Sequence, residues 1–146
     1  MGISSASGGS GTPLAVLARA RTVVYGSLTG VSENPSNPSA AVRDLADVSA
    51  VEVITRAAVM LMSAAAEKLG LADSDPEASA HRDLDEARRL ITALAGLVTA
   101  AHPDLGVHAG PLRDGLRALQ QAFREASAFP DEPGAGPGEK FTGTVV

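Results

Sequence analysis

Between Ser49 and Gly70 apolar residues fall on almost every side of a helical wheel. Ile54, Ala58, Leu61 and Ala65 share one side, Val51, Met62 and Leu69 lie beside them, and Glu52, Arg56, Ser63 and Glu67 form a narrow polar stripe opposite. A helix that is apolar over more than half its circumference has to be covered by other helices. Both ends are marked. Ser49 and Glu52 have the spacing of a reciprocal capping box, and Val48 and Val53 that of a hydrophobic staple. Gly70 supplies a left-handed C-cap on which Leu71 folds back.

A second helical pattern begins after a polar loop containing Pro76. Asp83 caps it, with Glu86 in the capping-box position. Its inner face is Leu84, Ala87, Leu90, Ile91, Leu94, Leu97 and Val98, and it stops at His102-Pro103 because proline disfavours helix in the residue before it. Gly110 and Pro111 open a third helix with the apolar stripe Leu112, Leu116, Leu119 and Phe123. The pattern therefore predicts an all-α fold, a small bundle of three main helices over about 49–69, 83–101 and 111–126. No internal repeat is present.

The flanks read differently. Residues 1–40 form a low-complexity N-terminal extension: a Gly/Ser-rich start, an ambiguous patch from Thr12 to Tyr25 and a linker with Pro35 and Pro38. A short helical turn from Ser39 to Asp47, with Val42 and Leu45 inward, opens the helical domain of residues 41–126. Residues 127–146, rich in Pro and Gly, are expected to be a flexible tail.

Composition agrees with the helical reading, since the apolar content is mostly Ala, Leu and Val with few aromatics. A net charge of −5 speaks against a general nucleic-acid or anionic-membrane binder. The absence of cysteine removes disulfides, thiolate metal sites and cysteine nucleophiles. No apolar run approaches the ~20 residues that span a bilayer. Arg19 and Arg21 interrupt the only stretch resembling a signal peptide, so the protein is expected to be cytoplasmic.

Candidate chemistry is sparse. His102, His108 and Asp104 share a loop, but their spacing matches no zinc pattern, and no metal site is assigned. Asp83, Asp85 and Glu86 suit the first turn of a helix, where the macrodipole favours negative charge. The segment GAGPGEKFTG is similar to a phosphate-binding loop but lacks the Gly-Lys-Thr/Ser succession between strand and helix. No catalytic residue and no cofactor are assigned, and the protein is read as a non-enzyme. Lys140, Phe141 and Thr142 are weighed as a linear motif docking on a partner or on the domain itself, against plain disorder. On the second helix, Thr92 and Gly96 make a small-x-x-x-small step open to close backbone approach. On the third, Arg113, Arg117 and Arg124 cluster with Gln120, either as a partner face for acidic protein or RNA or as a solvated, salt-bridged face.

Three such helices hold roughly 60 residues, and cores of that size rarely supply more than ~3–5 kcal/mol. The first helix also shows more apolar surface than two neighbours cover. A homodimer is therefore expected, with Val59, Met60 and Met62 at or near its seam.

The stretches VEVITRAAVMLMSAAAEKLGL, LDEARRLITALAGLVTAA and LRDGLRALQQAFREAS, with the tail PGEKFTG, resemble an uncharacterised actinobacterial family, the domain of unknown function numbered eighteen-forty-four. The resemblance spans about Asp44 to Thr142, and the front up to about Ala40 departs from it. It implies no activity, cofactor or catalytic residue. The expectation is thus a non-catalytic helical interaction or adaptor protein acting as a homodimer. The alternative is an accessory ribosome- or RNA-associated factor using Arg113, Arg117 and Arg124.

Overall fold

The computed structural model describes residues 45–145. The expectations for the N-terminal extension and for Ser39 to Asp44 lie outside the described residues. Three main helices are present, α1 (Ala50–Lys68), α2 (Leu84–Ala101) and α3 (Ala109–Ala126), with a single-turn α4 (Glu139–Thr142) near the end. No strand occurs among the described residues. Leu45, expected to point inward, is 63% exposed.

The helix ends form by short-range polar chemistry. Ser49 Oγ accepts from the Glu52 N–H at 3.3 Å, and Asp83 Oδ1 accepts from the Glu86 N–H at 3.0 Å. Among the described residues the reciprocal half of each capping box is absent. Glu52 pairs with Arg56 one turn on at 2.5 Å, where the guanidinium outcompetes a neutral backbone N–H; Glu86 pairs with Arg89, and the Asp83 N–H is already taken by a carbonyl of α1. The other end of α1 closes as predicted. Gly70 has φ +77°, and the N–H of Leu71 reaches back to the Ala66 carbonyl at 3.0 Å. The Asp83 N–H donates to the Lys68 carbonyl at 2.8 Å, which ties the start of α2 to the end of α1.

Two 3₁₀ turns, His102–Asp104 and Gly106–His108, lead from α2 into α3, with Leu105 buried beneath them. Pro111 lies in the first turn of α3, where a backbone N–H has no helical partner to lose. The core is one cluster. Ala58, Met62 and Ala65 come from α1 and Leu69 from its C-cap, Ala87, Ile91, Leu94 and Ala95 from α2, and Leu112, Leu116, Leu119 and Phe123 from α3. Gly115 admits the Met62 side chain into the α1–α3 contact, since a Cβ at Gly115 would stand 2.0 Å from Met62 Cε.

Two expectations change here. The helix that packs against all the others is α2, which meets α1, α3 and α4. Ser63, read as part of the polar stripe of α1, is half-buried, and its hydroxyl has no hydrogen-bond partner among the described residues.

Candidate functional site

The expected flexible tail is instead a strap folded back over α2 and α3. It begins where Arg82 donates to the Ala126 carbonyl at 2.8 Å and the Ser127 hydroxyl to the Phe123 carbonyl at 2.7 Å. Asp131 then pairs with Arg88 of α2 at 2.7 Å, and the same guanidinium lies 4.8 Å from the Phe123 ring centroid. That combination of ion pair and cation–π contact is well suited to arginine.

Further along, Gln120 of α3 is 4% exposed and holds the strap through its side-chain amide. Its Nε2 donates to the Pro137 carbonyl and to Thr142 Oγ1, each at 3.0 Å. Gly138 follows with φ +75°, so close to α2 that a Cβ there would stand 2.4 Å from the Ala95 Cβ. Only glycine meets both conditions.

Glu139 is the pivot of the strap. It is 7% exposed. Its Oε2 accepts from the N–H of Gly134 at 2.8 Å and of Gly136 at 2.9 Å, and its Oε1 accepts from the Val145 N–H at 2.8 Å. Burial alone would raise its pKa. The N–H groups of Val145, Gly136 and Gly134, together with the Arg124 guanidinium, outweigh burial and hold it below the ordinary value of 4.5. The glycine-rich segment therefore does cradle an anion with backbone N–H groups, as phosphate loops do, but the anion is the chain's own carboxylate.

Once docked, the strap forms one wall of a groove with a cavity volume of about 420 Å³. α2 contributes Val98 and Thr99, His102 closes one end, and α3 contributes Arg113, Asp114, Leu116, Arg117 and Gln120. Phe141 to Val145 complete it. Arg113 and Arg117 stand one helical turn apart, both exposed, and make no ion pair or hydrogen bond among the described residues. An acidic protein thus presents two uncommitted guanidiniums in one recess.

The predicted residues are sorted by these contacts. Arg113 and Arg117 face the groove, whereas Arg124 donates to the Val145 carbonyl at 3.1 Å and holds the strap. The salt-bridged reading of this face does not hold for the first two. Phe141 lies over Gly96, 3.5 Å from where its Cβ would be, and is still 43% exposed. Lys140 Nζ stands 4.8 Å from the Phe141 ring centroid, and Thr142 is tied to Gln120. The tail motif docks on its own domain. A backbone does approach α2 closely, but at Ile91 and Ala95 through Gly138 and not at the Thr92–Gly96 step.

The proposed seam is corrected in part. Val59 is 8% and Met62 2% exposed, so both belong to the core of a single chain, while Met60 is 54% exposed. Among the described residues no group of three or more His, Asp or Glu side chains is placed to hold a metal ion. No described helix is long and apolar enough to cross a membrane.

Sequence reasoning missed Glu139, Gly138 and the Arg88–Asp131 pair. The available signal was the alternation of Gly134, Gly136 and Gly138 immediately before a lone glutamate, which suits a backbone wrapped round a carboxylate.

A family model described as a domain of unknown function (DUF1844) matches residues 50–125, slightly more than half of the chain. The chain belongs to this family. The match covers the three main helices and stops before the strap. Comparison with curated proteins gives no match, and comparison with solved structures gives none either.

Proposed function

We propose that the protein is a non-catalytic, cytoplasmic binding module that acts as a homodimer and binds its partner in the strap-walled groove. The observation that carries this reading is the convergence of Arg113 and Arg117 with Phe141 and Thr142 on one recess. These are the two features of the sequence most suited to a partner, and the fold brings them together. Catalysis is not part of the reading, because among the described residues no hydroxyl lining the groove is hydrogen-bonded to an imidazole or carboxylate. Dimerisation is supported by the outward side of α1. Val53 (41% exposed) and Met60 (54% exposed) lie on that side, flanked by Ile54 and Leu61, which pack partly against the core.

Affinity capture from the native cell with the full chain tests the binding reading. A discrete protein recovered with the wild type and lost with Arg113→Glu/Arg117→Glu supports it; equal recovery with both contradicts it. The second reading, an RNA- or ribosome-associated factor, is favoured by the same two unpaired arginines. It requires co-sedimentation with ribosomes that weakens steeply with salt, because phosphate contacts release counterions.

A further inference from the structure

We propose that the groove binds a small phosphate monoester whose phosphate is held by Arg113 and Arg117 and whose apolar body rests on Phe141. This inference rests on the groove being the binding surface and names the chemistry of its occupant.

Size comes first. The cavity of about 420 Å³ is in the range of sites that enclose small molecules, ~300–1,000 Å³. Charge comes next. Arg113 and Arg117 occupy positions i and i+4 of α3, where two side chains are neighbours on one face of the helix, and both line the groove. Two guanidiniums match a phosphate monoester, which carries roughly −1.5 to −2 at neutral pH, better than a carboxylate that one bidentate arginine already neutralises. The exposed Thr99 also lines the groove and carries a hydroxyl donor.

Asp114 lines the same groove and limits how much negative charge it accepts. A polyphosphate or a nucleic-acid strand would meet that carboxylate and the overall net charge of −5. A single phosphate can face the arginines while a polar group of the ligand faces Asp114. Val98 and Leu116, buried in the core, only line the bottom of the groove, and its apolar surface is the partly exposed Phe141 ring. Because Phe141 sits on the strap, the apolar wall exists only while Gln120 and Glu139 hold the strap down.

The test uses the full chain and phenyl phosphate as the probe, followed by amide chemical shifts at Arg117, Gln120 and Thr142. Saturable binding is expected, with inorganic phosphate weaker and phenol silent. Arg113→Ala and Arg117→Ala, both at exposed positions, should each weaken phenyl phosphate by about tenfold, as loss of a hydrogen bond to a charged group does. Phe141→Ala should weaken phenyl phosphate and leave inorganic phosphate unchanged. Shifts that do not saturate, or affinity unaltered in the double arginine variant, overturn the inference. A short single-stranded RNA that binds more tightly than phenyl phosphate, with a steep salt dependence, overturns it in favour of nucleic acid. Absent phenyl phosphate binding alongside arginine-dependent capture of a protein overturns the ligand and leaves the groove as a protein-docking surface. Phenyl phosphate binding with capture indifferent to the arginines supports the ligand and removes that docking role.

Discussion

The side-chain amide of Gln120 donates at 3.0 Å to the carbonyl of Pro137, joining the middle of α3 to a proline in the strap. A buried amide has to find partners, and here those partners come from a Pro/Gly-rich segment. The same Nε2 also reaches Thr142, so one glutamine fixes both ends of the strap's single helical turn. Gln120→Ala is expected to cost about 1–2 kcal/mol, the value of buried hydrogen bonds lost together with the acceptor left unpaired. Denaturant unfolding measures the loss, and limited proteolysis within residues 128–145 should become faster.

Gly138→Ala should act on the same contact by sterics. The left-handed backbone costs an alanine about 1–2 kcal/mol. The added methyl would also stand 2.4 Å from the Ala95 Cβ, whose backbone is fixed in α2. The expected outcome is a detached strap on an intact three-helix core: unchanged helical circular dichroism in the main, with altered amide shifts at Ile91 and Ala95.

Glu139 makes strap docking dependent on pH. Its pKa is lowered in the folded state, so the unfolded chain binds its proton more readily, and stability rises with pH through this range. The contribution is fully present at neutral pH. It is lost as pH falls below the ordinary value of 4.5 and on through the lower folded pKa. Glu139→Gln should remove that portion of the pH dependence, as measured by thermal unfolding between acid and neutral pH.

The arginines of α3 separate into two roles that mutation distinguishes. Arg124→Ala removes the donor to the Val145 carbonyl and the charge beside Glu139, so strap stability should fall. Arg113→Ala touches no internal partner among the described residues, and its effect on stability should stay within about ±0.5 kcal/mol.

Methionines two residues apart on α1 have opposite expectations. Met62→Ala, at a fully enclosed position, should cost about 2–5 kcal/mol. Met60→Glu should leave the fold intact and shift the protein toward monomer in light scattering if α1 forms the seam; an unchanged dimer would contradict that role.

The three helices were legible because each bears strong local signals: Ser49 and Asp83 as caps, Gly70 as a stop, and apolar spacing that survives to the packed core. Assigning Val59 and Met62 to a seam failed because a wheel shows that a face is apolar without showing which neighbour covers it. Gly115 leaves room for Met62 inside the protomer, and spacing alone carries no trace of that. The strap was illegible for a different reason. It is held by Gln120, Glu139, Arg88 and Arg124, polar groups whose partners are mostly backbone atoms or lie far along the chain. Pro/Gly richness, usually a mark of an unfolded segment, here provides the turns that wrap Glu139. The groove inherits both results. Its arginines were visible in sequence, and the wall formed by the strap was not.

Hydrogen exchange at the Val145 amide tests the folded strap most directly, because that N–H donates to Glu139 Oε1 and to no regular helix. In the wild type it should exchange about tenfold or more slowly than in an unstructured peptide, and Glu139→Ala should abolish that protection while leaving the amides of α2 unchanged. Exchange of the wild-type Val145, Gly134 and Gly136 amides at the unstructured rate would contradict the folded strap and the groove it completes.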